Sequence, residues 1–180
     1  MKVCIICNQT HYEETIEHII PRTLGNIHYI LPRGLVCRKC NNRFARYENR
    51  VLSSSIFVQE RLRLGLVQPN HSIQKLDLEE KNLYPFLTKM GFESIYKSKK
   101  ALLSKYDWQP VLSMLVQGKR NPVLDDKNDT PIRTIKSIPG WIHNFRLGRN
   151  HLQLHYAETK DNRLFFHFQF GVIKAKIRLI

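Results

Sequence analysis

The sequence predicts an α+β protein: a small metal-stapled N-terminal module, then a helical segment, then a C-terminal antiparallel β region. Three observations lead there. All four cysteines fall in two CxxC pairs, Cys4 with Cys7 and Cys37 with Cys40. Apolar residues recur at helical spacing after the second pair and again through the middle of the chain. From residue 152 the pattern changes to strict alternation, in Leu152, Leu154 and Tyr156, then Leu164, Phe166, Phe168 and Phe170, then Ile173, Ala175, Ile177 and Leu179. With 180 residues, the chain has room for one compact domain or for a small module and a modest second one. The boundary is placed between 1–67 and 68–180, at the linker-like QPNHS from Gln68 to Ser72.

Each element has a local reason. From Asn41 to about Leu52, Phe44, Tyr47, Val51 and Leu52 share one helical face, and Arg43, Arg46 and Arg50 lie on others. Ser53, Ser54 and Ser55 offer N-caps for a second helix, in which Ile56, Phe57, Glu60, Leu62 and Leu64 precede Gly65. Two helical stretches follow, about Leu83 to Tyr106 and Trp108 to Gln117, with Asp107 as a cap and Pro110 in the first turn. After a polar run from Asp125 to Thr130, strands are joined at Lys160 to Asn162 and at Gly171. The stripe from Phe165 to Phe170 reads as core, because alternation is how the buried face of a strand looks.

Charge narrows the function. Lys plus Arg number 29 and Asp plus Glu 15, a net charge of +14, so the surface carries a field that favours a polyanion, nucleic acid first. Residues 33–63 concentrate it, with eight Lys/Arg against Glu48 and Glu60. The start, MKVCIICNQT, reads as no secretory signal, and no apolar stretch suffices for a membrane span. The expectation is a soluble cytoplasmic protein with no membrane partner. In a reducing compartment two CxxC pairs, 29 residues apart and without a spare cysteine, read as four thiolates on one structural zinc.

Between the pairs lies Glu17-His18-Ile19-Ile20-Pro21, then Leu24-Gly25-Asn26, and the second pair runs into Asn41 in LVCRKCNNRF. Over about residues 4–50 this resembles the HNH endonucleases of the ββα-metal fold, in particular the subgroup stapled by a Cys4 zinc. The resemblance implies phosphodiester hydrolysis, with His18 as general base. It also implies a hard divalent cation, Mg²⁺ or Mn²⁺, on Glu17 and Asn41. Histidine suits the base because its unperturbed pKa lies near neutrality, and oxygen ligands suit a hard cation. By simple counting the family's loop-bracing Asn falls on Pro32; Asn26 or Asn42 is the alternative brace, and Asn26 is the choice. Glu17 stands where Asp or His is commoner and still offers an oxygen ligand. His11 and His28 match no family role and read as surface or phosphate-contacting groups.

Arg22, Arg33, Arg38, Lys39, Arg43, Arg46 and Arg50 are candidate nucleic-acid contacts, since together they would repel one another without an anionic partner. Residues 68–180 resemble no family and are read as the part that chooses where to cut, with His143, Asn144, Arg146, Arg149, Asn150 and His151 as candidate base readers. The whole reads as a site-specific restriction or defence enzyme acting on double-stranded DNA as a homodimer, one catalytic module per strand. The alternatives are a non-catalytic zinc-dependent nucleic-acid-binding protein and an HNH nuclease for RNA or modified DNA.

Overall fold

The computed structural model describes residues 1–66, 77–118 and 151–180. The QPNHS linker, the Asp125–Thr130 run and the cluster from His143, His151 excepted, lie outside them. Strand β1 (Lys2–Val3) pairs antiparallel with β2 (Thr10–His11), and the first CxxC occupies their connection. A second, shorter pairing carries Glu17 and His18: Leu31 N–H donates to Glu17 O at 2.9 Å, Ile19 N–H to Tyr29 O at 3.2 Å, and His18 forms a bridge with Ile30. One 3₁₀ turn, Arg22–Leu24, follows and ends at Gly25 with φ 85°. Glycine is required there twice over, since a Cβ would also lie 2.9 Å from His151 Nε2.

Helix α1 (Arg38–Leu52) begins three residues earlier than the apolar spacing predicts. Cys37 is its extended N-cap, and the Cys37 carbonyl accepts the Asn41 N–H at 3.0 Å, so the helix grows out of the second CxxC turn. Helix α2 (Ser55–Arg63) forms as expected, but no serine side chain caps it. The Ser54 hydroxyl instead donates to Val51 O at 2.6 Å, at the end of α1. The predicted stretch from Leu83 to Tyr106 is two helices, α3 (Glu80–Ser98) and α4 (Lys100–Lys105), parted where Lys99 leaves the helical region at φ −137°, ψ 52°. Helix α5 (Gln109–Gln117) starts where Asp107 accepts the Gln109 N–H at 2.9 Å.

Strands β3 (Leu152–Glu158), β4 (Leu164–Phe170) and β5 (Ile173–Arg178) form an antiparallel meander in that order. The register Leu154↔Phe168↔Ala175 puts the alternating apolar set on one face. That face closes on α2 and α3: Phe57 lies 6.3 Å from the Phe86 ring, 6.4 Å from Phe168 and 6.2 Å from Phe170. Burying each of these rings stabilises the fold by about 1.5–3 kcal/mol. Gly91 on α3 permits the approach, since a Cβ there would meet Leu179 and Phe166 at 3.1 Å. Phe165 departs from the predicted stripe: it points to the other face and is covered by Lys176, whose Nζ is 3.9 Å from its ring centroid. One hydrophobic cluster runs from Cys4 to Leu179, joining the N-terminal module to the helices and the sheet.

Candidate functional site

The cysteines converge. All four sulfurs lie within 4.8 Å of one another, and Cys7 Sγ is 3.7 Å from Cys37 Sγ. Four thiolates on a tetrahedral zinc with bonds of about 2.3 Å would sit roughly 3.8 Å apart. Hydrogen bonding with Cys40 lowers the Cys4 thiol pKa against the opposing effect of burial, and the same bond raises that of Cys40, so the pair holds a thiolate beside a thiol. The donor set fits a closed structural zinc.

The cluster fixes what hangs from it. Asn41, one residue past Cys40, donates from Nδ2 to Ile16 O at 3.1 Å, so the start of α1 is tied to the residue preceding Glu17. Asn26 Oδ1 accepts the N–H groups of His28 at 3.0 Å and Tyr29 at 2.9 Å, shaping the turn that brings Ile30 back beside His18. Both bonds rest on short polar side chains that imitate a backbone turn or cap.

Glu17 and His18 point into different surroundings, as successive strand residues must. Glu17 is 5 % exposed, with Oε1 2.5 Å from Lys89 Nζ and Oε2 buried without a hydrogen-bond partner. Lys89 comes from the middle of α3 and is itself 0 % exposed. Its ammonium also donates to His18 O at 2.7 Å and meets Glu48 Oε1 at 2.8 Å and Glu93 Oε2 at 3.4 Å. Burial opposes the charge on Lys89, yet Glu93, Glu17 and Glu48 together hold its pKa above the ordinary lysine range. Burial pushes Glu17 up and Glu93 well up, with Lys89 opposing both. Glu93 is fully enclosed, and burial acts on it most strongly.

His18 lines a cavity of about 320 Å³ whose wall also includes Arg22, Glu48, Asn49, Ser53 and Arg61. Burial lowers the His18 pKa below 6.5, the charges of Arg22 and Lys89 lower it further, and Glu48 opposes them. The shift favours the neutral imidazole. Its Nδ1 is buried and has no hydrogen-bond partner among the described residues. Two cations, Arg22 and Arg61, line the cavity with Glu48, which pairs with Lys89 at 2.8 Å.

Residues 4–55 match the family model described as HNH endonuclease. This segment is an HNH endonuclease domain. No curated protein and no solved structure matches the chain significantly. The HNH domain thus spans the four-cysteine cluster, the Glu17-His18 segment, α1 and the first residue of α2. No helix of the described residues is long and apolar enough to cross a membrane.

Within and around the HNH domain the candidate cations divide. Arg22, Arg33, Arg38, Lys39, Arg46 and Arg50 are exposed. Arg43 instead turns to α5, donating to the Val116 carbonyl, and Arg50 also reaches Asn82 Oδ1 at 3.4 Å. His28 is exposed as expected, but His11 is not a surface group: its side chain is 8 % exposed, with Nδ1 3.4 Å from Glu13 Oε2. The same Nδ1 accepts the Glu13 N–H at 3.3 Å. The residues implied as ligands of a hard divalent ion offer oxygen atoms, but Glu17 Oε1 is paired with Lys89 and neither Glu17 nor Asn41 lines the cavity of His18. Glu17 Oε2 is a buried oxygen without a partner, and the bond from Asn41 Nδ2 leaves Oδ1 as that side chain's ligand atom.

Sequence reasoning missed Lys89, Glu48 and Arg61. Lys89 had a signal, a single cation inside the apolar run LYPFLTKMGF, and Glu48 another, the one acid on α1. Lys89 ties α3, outside the matched segment, to the HNH domain. Lys89→Met should therefore cost about 3–5 kcal/mol, because it leaves buried carboxylates without their counter-charge. Urea unfolding checks this, and a loss below about 1 kcal/mol would show that the ammonium is not the keystone.

Proposed function

We propose that this chain is a metal-dependent DNA endonuclease that hydrolyses phosphodiester bonds, with His18 as general base. The observation that carries the reading is the placement of the HNH domain's His18, with its pKa lowered and its Nδ1 without a hydrogen-bond partner among the described residues, in a cavity lined also by Arg22 and Arg61. A water attacks phosphorus and gives its proton to His18. The bond from phosphorus to the 3′ oxygen breaks, leaving a 5′ phosphate and, once that oxygen is protonated, a 3′ hydroxyl. Glu17 and Asn41 would hold a Mg²⁺ or Mn²⁺ ion, which supplies positive charge near the leaving oxygen when bound. The exposed cations Arg22, Arg33, Arg38, Lys39, Arg46 and Arg50 position the backbone of double-stranded DNA. Asn26 acts indirectly, by shaping the turn beside His18.

Residues 68–180 belong to the same proposal as the part that selects the cleavage site, in a restriction or defence enzyme working as a homodimer in the cytoplasm. Digestion of a long defined duplex with Mg²⁺ or Mn²⁺ added to metal-stripped, zinc-reloaded protein, with sequencing of the ends, tests both levels. Discrete fragments support a site-specific enzyme, a smear supports the chemistry without the specificity, and intact but retarded DNA would replace the nuclease by a zinc-dependent binding protein. RNA and methylated DNA at the same salt concentration rank the substrates.

The pH profile follows from the His18 environment. A base works deprotonated, and the burial and cations that lower its pKa extend activity to lower pH. The acid limb of kcat/KM is expected below the ordinary histidine midpoint of about 6.5. Arg22→Ala should move it upward, because a nearby positive charge is removed. A limb above about 7 would remove His18 from the role.

A further inference from the structure

Arg61 lies on α2, beyond the residues that match the HNH family. Its guanidinium is half-buried, and Nη2 donates to Leu52 O at 2.7 Å, at the end of α1. Nε is buried and has no hydrogen-bond partner, and among the described residues Arg61 makes no ion pair. Two positions on, Arg63 shows what the same helix does with a structural arginine: its guanidinium forks onto Glu60, at 2.7 and 2.6 Å. A desolvated guanidinium without a counter-charge costs stability unless an anion completes it. Burial indeed lowers its pKa.

The anion has an obvious place. Arg61 lines the same cavity as His18 and Arg22, with the hydroxyl-bearing Thr23 and Ser53 on its wall. The cavity's acid, Glu48, pairs with Lys89 at 2.8 Å, and among the described residues no ion pair joins it to Arg61. A planar fork of N–H donors matches two oxygens of one phosphate group, where an ammonium meets them as a point charge. We propose that Arg61 binds the scissile phosphate of the DNA across the cavity from His18, so that α2 completes a site the HNH segment leaves open. This rests on the nuclease reading, since the phosphate must be the one that His18 acts upon.

The test uses the full zinc-loaded chain, Arg61→Ala and Arg61→Lys, and Lys160→Ala as an equal loss of charge at a position that does not line the cavity. On a duplex substrate with Mg²⁺, Arg61→Ala should lower kcat about 100-fold while KM moves less than about threefold, because one cation among many contributes little to overall affinity. Arg61→Lys should recover only part of kcat, and Lys160→Ala should match the wild type. In parallel, ³¹P NMR titration of inorganic phosphate without divalent ions should show binding weakened at least about tenfold in Arg61→Ala. A kcat for Arg61→Ala within threefold of wild type, or phosphate binding that Arg61→Ala and Lys160→Ala leave equal, would overturn the proposal. If the wild type cleaves no nucleic acid while phosphate binding still depends on Arg61, the anion site stands and the nuclease reading is the part that fails.

Discussion

Replacing His18 by Ala is expected to lower the cleavage rate about 10³-fold at pH 7.5, within the range that a positioned general base contributes. The effect should fall on kcat. Among the described residues the ring makes no ion pair, whereas the Lys89 bond goes to the His18 carbonyl, which alanine keeps. Zinc content, the unfolding midpoint and DNA retardation should therefore stay near wild type. That combination separates loss of chemistry from loss of structure. Cleavage within threefold of wild type would show that another group takes the proton from water. Glu48 on the same cavity wall would then be the first alternative to replace.

Removing zinc should have the largest effect on stability. A structural zinc on four thiolates contributes of the order of 10 kcal/mol at neutral pH, comparable with the whole net stability of about 5–15 kcal/mol of a folded domain. Cys4, Cys37 and Cys40 are buried members of the hydrophobic cluster that continues to Phe44 and α3, so the loss is not confined to a surface knuckle. Stripped of its metal, the protein should melt at least about 20 °C lower, with α1 fraying first from its Cys40 end. Calorimetry with a chelator, together with one equivalent of zinc per chain in the untreated protein, checks this. An unchanged melting temperature would mean that the sulfurs are merely buried thiols. Cys40→Ser should reproduce the chelator's effect without it.

The parts of the molecule set by short-range chemistry were legible in the sequence. Two CxxC pairs specify their own convergence, because each turn aims both sulfurs at one centre, and reading that spacing needs no knowledge of the rest of the chain. The β3–β5 meander was readable because a half-buried strand must alternate, and the observed register repeats the alternation residue for residue. Helix edges were less legible. Ser54 could have capped α2, but its hydroxyl found the Val51 carbonyl instead, a competition between neighbouring backbone groups that composition does not decide.

The site divides along the same line. The Glu17-His18 pair, Asn26 and Asn41 stand out because their placement depends on neighbours within a few residues or on the four-cysteine cluster beside them. What they face depends on segments far away in sequence. Lys89 reaches Glu17 from a helix much later in the chain, and its position in α3 is set by packing of an apolar helix against α1. A cation that looks like an interruption in a hydrophobic run thus becomes the counter-charge of three carboxylates. Arg61 and Arg63 are indistinguishable as letters on one helix, yet one lines the cavity of His18 and the other is tied to Glu60. Spacing along the chain was enough for the convergence of the four cysteines, the pairing beside Glu17 and His18 and the basic character of the chain. Only the tertiary structure decided which charges are neutralised inside the protein and which remain for a ligand, because Coulomb energy and desolvation depend on distance and burial, not on spacing along the chain.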